Sequence, residues 1–86
     1  MKTIFKYPLT GAFKQNIKMP EGAEILCAQL QNGVPTLWAK VNDSNELKDR
    51  VIEVYGTGVE VNEYDLEYIG TVQDFAGLVW HVFENK

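Results

Sequence analysis

Glu24-Ile25-Leu26-Cys27-Ala28-Gln29-Leu30-Gln31-Asn32-Gly33-Val34-Pro35-Thr36-Leu37-Trp38-Ala39-Lys40-Val41 is the stretch on which the fold turns. Residues 23–31 are the most apolar run in the chain, with Ile25, Leu26, Cys27, Ala28 and Leu30. Apolar side chains at both parities predict a strand buried on two faces, the centre of a sheet. Asn32-Gly33 follows, and that pair tolerates the positive φ angles of a two-residue hairpin turn. Residues 35–41 then return, with Leu37, Ala39 and Val41 on one side and Trp38 and Lys40 on the other. Pro35 has no N–H for a ladder, which places it at the first position of the returning strand.

Working outward, the same period of two recurs. Residues 2–7 alternate Lys2, Ile4 and Lys6 against Thr3, Phe5 and Tyr7, and Pro8-Leu9-Thr10-Gly11 is turn chemistry. Residues 12–19 set Phe13, Ile17 and Met19 opposite Lys14, Asn16 and Lys18, and Pro20-Glu21-Gly22 closes them. Beyond the polar loop Asn42-Asp43-Ser44-Asn45, residues 47–55 resume a strand with Ile52 and Val54 on its apolar side. Gly56-Thr57-Gly58 ends it. Asn62 fits the cap of one helical turn through Asp65, and residues 66–73 and 78–84 form a closing pair around Asp74-Phe75-Ala76-Gly77. The fold class expected is mainly β. It is a single small barrel or sandwich of six to seven short, mostly antiparallel strands, with at most one short helical turn.

Eighty-six residues suffice for one domain and not for two. A chain this short has little core to spare, so a homo-oligomer is expected. One cysteine allows no intrachain disulfide, no run is long and apolar enough to span a membrane, and lysines interrupt the N-terminal segment. Together these predict a soluble protein of a reducing, cytoplasmic compartment. The net charge of −4 hides an asymmetry: residues 1–42 carry five lysines against two glutamates, and residues 43–86 carry three cations against ten acids.

Catalytic chemistry finds few residues to use. His81, Ser44 and Cys27 are each the single residue of their kind. Ser44 lies in a polar turn without the glycine framing of a nucleophile elbow, and Cys27 reads as a core thiol. No zinc or calcium ligand spacing is present, so no cofactor and no enzymatic activity are expected. Gly56-Thr57-Gly58 lacks the rest of a phosphate-loop signature and reads first as a strand-ending turn, second as a ligand contact. If residues 2–7 and 12–18 pair as a hairpin, Lys2, Lys6, Lys14 and Lys18 share one face. That face is either a solvated edge or a phosphate site. Glu60, Glu63, Asp65, Glu67 and Asp74 offer an acidic surface, and Trp38, Trp80 and His81 either fill the core or line an aromatic pocket. The candidate ligand set is Lys14, Lys18, Trp38, Gly56, Thr57, Gly58, Trp80 and His81.

Ile4-Phe5-Lys6-Tyr7-Pro8-Leu9, Gly56-Thr57-Gly58 and His81-Val82-Phe83-Glu84 occur in this order along the chain. On those segments it resembles a family of short bacteriophage proteins, over essentially its whole length. Val59-Glu60 departs from the histidine-proline of that pattern. The resemblance implies an accessory protein of the infected bacterial cell that antagonises host antiviral defence by binding. Sequestration of a nucleotide immune signal is the expectation. The alternatives are a protein–protein inhibitor of a nucleic-acid-binding defence complex through the acidic surface, and a structural or virion-associated module. Direct binding to nucleic acid and membrane association are not expected.

Overall fold

The computed structural model describes residues 1–61 and 65–86. Its strands are β1 (Lys2–Pro8), β2 (Lys14–Pro20), β3 (Glu24–Gln31), β4 (Val34–Asn42), β5 (Leu47–Gly56), β6 (Leu66–Gln73) and β7 (Val79–Asn85). They make two antiparallel sheets, β1-β4-β3 and β2-β5-β7-β6. Leu37, Ala39, Val41 and Ala28 of the first sheet share one buried cluster with Met19, Ile52, Val72 and Val82 of the second. The architecture is therefore a small sandwich, two sheets packed through their apolar faces. No helix occurs among the described residues, and the turn expected from Asn62 lies largely outside them.

The central hairpin forms as its turn chemistry requires. Asn32 and Gly33 take φ values of 50° and 78°, and Gln31 pairs with Val34 across them. Pro35 sits one residue inside β4 rather than at its start, opposite Leu30. The two-residue turn makes Gln31–Val34 a hydrogen-bonded pair, so the nitrogen of the next residue points away from β3 and needs no partner there.

Two expectations are corrected. β3 is an edge strand, and β4 takes the centre. The run is apolar at both parities because a bulge falls between Ile25 and Cys27. It turns Leu26 outward, 44% exposed, and resets the alternation so that Ile25, Ala28 and Leu30 all face the core. Nor do β1 and β2 form a hairpin: β1 pairs with β4 and β2 with β5. Leu9, 6% exposed, anchors the connection in the core as it crosses between sheets. The four lysines are thereby divided. Lys2 and Lys6 project from the three-stranded sheet, Lys14 and Lys18 from the four-stranded one.

The two flanks of the sandwich differ. Gly70, at a bulge in β6, lies so close to β3 that a Cβ there would be 3.4 Å from the Ala28 Cβ. On the other flank β1 bonds to β4 alone. At the end of the sandwich away from the Asn32-Gly33 turn, Arg50 donates through Nε and Nη2 to Glu84 and through Nη1 to the Ala23 carbonyl at 2.9 Å. One guanidinium thus ties β5, β7 and the β2–β3 turn together.

Candidate functional site: an apolar cleft at one end of the sandwich

At the end bearing the Asn32-Gly33 turn, four connections converge around a cleft. Leu9, Thr10, Gly11, Ala12 and Phe13 come from the β1–β2 crossing, and Gly33, Val34 and Pro35 from the central hairpin. Val54, Gly56, Val59 and Trp80 complete the lining, and no charged side chain belongs to it. Apolar, aromatic-floored concavities of this kind are the usual form of a binding site.

The residues around the cleft are exposed and apolar. Phe13 is 50% exposed, Val34 40%, Val59 53% and Phe75 88%. Scattered singly, such residues mean little; gathered around one concavity they mark an interaction surface. Phe75 sits at the tip of the β6–β7 turn, where its ring would lie 3.3 Å from a Cβ on Gly33.

Asp74 holds this region in shape. Its Oδ1 accepts from the amides of Ala76 and Leu78 at 2.9 and 3.0 Å, and its Oδ2 accepts from Trp80 Nε1 at 3.0 Å. The same carboxylate therefore closes the turn that presents Phe75 and aims the indole into the cleft. The Trp80 N–H holds its carboxyl below the usual range. Burial opposes that effect, and the Leu78, Ala76 and Gly77 amides reinforce it.

The sequence-nominated residues divide between this cleft and other surfaces. Gly56 and Trp80 meet in the lining, where a Cβ on Gly56 would sit 3.6 Å from the indole. Thr57 Oγ1 is 2.9 Å from His81 Nε2, and His81 Nδ1 is 3.1 Å from Thr71 Oγ1, itself 2.7 Å from the Tyr68 hydroxyl. His81 alternates with Trp80 along β7, so this chain of hydroxyls runs over the outer face of the four-stranded sheet. Gly58 follows with φ 88°. Lys14 and Lys18 stand on that same outer face. Lys14 is opposite Glu53 in register, and Lys18 bonds Asp49 at 2.7 Å. Trp38 is apart from all of these, on the outer face of the three-stranded sheet between Lys6 and Cys27.

Two of the five acidic residues are engaged locally. Glu67 pairs with Lys86 at 2.9 Å, Asp74 is engaged at the cleft, and Glu63 lies outside the described residues. Ser44 is in the β4–β5 turn, and its Oγ accepts from the Met1 ammonium at 3.3 Å. Sequence reasoning missed Phe13, Val34, Pro35, Val59 and Phe75. A phenylalanine inside the turn tetrad Asp74-Phe75-Ala76-Gly77 was the one local signal available, since turns seldom place an aromatic ring where only solvent receives it.

These features define a small antiparallel β-sandwich with an apolar cleft at one end. No group of three or more metal-ligating side chains converges among the described residues. The chain belongs to the family described as Domain of unknown function (DUF7352), whose model matches residues 1–86. No curated protein and no solved structure matches it.

Proposed function

We propose that this chain is a non-enzymatic binding protein that takes apolar side chains of a protein partner into the cleft at the end of its sandwich. The observation that carries this reading is a cleft lined without charge and bordered by Phe75 at 88% exposure. An apolar ring left in water gains roughly 2 kcal/mol when a partner covers it, about thirtyfold in affinity. Taken with the resemblance to short bacteriophage proteins, the partner is a component of host antiviral defence. Inhibition follows from occupying its surface in the cytoplasm of the infected cell.

A second reading, sequestration of a nucleotide signal, draws on the outer face of the four-stranded sheet. There Lys14, Thr57 and His81 share a surface with the edge-to-face pair Tyr68–Phe83, whose centroids are 5.5 Å apart. Those groups supply a cation, hydroxyls and ring faces, the chemistry a nucleotide needs.

Native mass spectrometry of the gently purified protein separates the two, run beside a Val59→Ser/Phe75→Ser variant. The expected result is a co-purifying bacterial protein that the variant loses while its melting temperature holds. A retained mass of nucleotide size, unchanged in the variant, transfers the function to the outer face. Equal retention of the protein partner by both forms overturns the cleft.

A further inference from the structure

The open flank of the sandwich offers a surface independent of the end cleft. β1 is an edge of the three-stranded sheet, and the register shows which of its backbone groups are unused by β4. Leu9 N donates to the Pro35 carbonyl and Asp43 N to the Met1 carbonyl. Both pairs continue the register in which Ile4 faces Lys40. Hydrogen-bonded pairs alternate along an antiparallel ladder. Thr3, Phe5 and Tyr7 therefore bond to β4, and the N–H and C=O groups of Lys2, Ile4 and Lys6 point away from it.

Side chains on this edge say what it receives. Lys2 and Lys6 are exposed, Ile4 between them is 57% exposed, and Phe5 on the opposite side is 40% exposed. Lys40 stands across from Ile4 on the same outer face. The three strands of this sheet carry three lysines against Glu24, a positive face on a protein of net charge −4. A second copy is a poor occupant. Two β1 strands bonded antiparallel through these groups about Ile4 set each Lys2 opposite a Lys6, and facing like charges destabilise the pair.

We infer that β1 accepts an extended acidic segment of a partner protein as a fourth strand of this sheet. Carboxylates of that segment lie opposite Lys2 and Lys6, and apolar side chains cover Ile4 and Phe5. Backbone bonds supply affinity in this mode and alternate side chains supply choice.

The probe is a capped synthetic peptide containing Glu-Val-Leu-Val-Glu, titrated into the full chain and followed by amide hydrogen exchange. In the free protein the Lys2, Ile4 and Lys6 amides exchange fast, and those of Phe5 and Tyr7 exchange slowly. Peptide slows the first set. Ile4→Pro removes an outward N–H without touching the β4 ladder, and weakens binding roughly five- to tenfold, the worth of one hydrogen bond. A change confined to the peptide leaves the protein's fold untouched. N-methylation at the peptide's leucine abolishes binding, and N-methylation at either valine does not. Peptide affinity indifferent to methyl position, or binding that leaves the Lys2, Ile4 and Lys6 amides fast, overturns the proposal as charge attraction without strand addition. Val59→Ser/Phe75→Ser binds the peptide as the native chain does, so failure here and failure of the cleft are distinguishable.

Discussion

Arg50 and Glu53 are both held within this small domain, and each charge is bonded to side chains that β7 contributes. The Arg50 side chain is 19% exposed and that of Glu84 7%. Removing the cation leaves a carboxylate in a poorly solvated site with nothing opposite it. Arg50→Met is expected to cost about 3 kcal/mol, read as a lowered urea midpoint at unchanged slope, with Glu84→Gln milder. Glu53, 4% exposed, shows the reverse balance. Burial pushes its carboxyl up, but the Tyr55 hydroxyl, the Asn85 amide and Lys14 together draw it below its ordinary value. A carboxyl depressed in the folded state stabilises fully above its unfolded value, about 4.3, and that contribution disappears as pH falls through the folded value. Asp74 acts in the same direction. Acid unfolding is therefore expected to set in below about pH 5. Tyr55→Phe removes about 1–2 kcal/mol at neutral pH and flattens the acid limb, measurable by urea melts across pH.

Among the elements, β6 meets β3 at Gly70, where a Cβ would already be in contact with Ala28. Gly70→Val drives a branched side chain against Ala28 and is expected to cost about 2 kcal/mol or more. Gly11→Ala, where an added Cβ meets nothing within 4 Å, leaves the melting temperature in place. Local pattern made most strands legible. Period-two alternation located β1, β2 and β4, Asn32-Gly33 located the hairpin, and Asp74-Phe75-Ala76-Gly77 separated β6 from β7. Partner choice was not legible, because alternation says which face a residue takes and nothing about which strand lies beside it. β1 and β2, neighbours along the chain, went to different sheets for that reason. β3 misled through its bulge, since one inserted residue makes a one-sided strand look apolar on both sides.

For the molecule as a whole, that pairing carries a kinetic consequence. β1 must find β4 and β2 must find β5 across long stretches of chain. Closing such loops before any contact rewards them is slow. Stopped-flow refolding is expected on the millisecond-to-second scale, with the β3–β4 hairpin formed earliest. The candidate site was only partly readable for a related reason. Phe13, Gly33, Val59 and Phe75 sit on four separate connections, and their proximity exists only after the sheets have packed. Gly56 and Trp80 were nominated from glycine and tryptophan chemistry and do meet there; Trp38 shares that chemistry and lies elsewhere. The separation of the two indoles gives the protein a pair of native optical reporters. Trp80, bonded to Asp74 and facing the cleft, should change colour and intensity when that end is filled. Trp38, beside the Cys27 thiol on a distant surface, should stay dark to the event, so a single emission spectrum carries both a signal and its own internal standard.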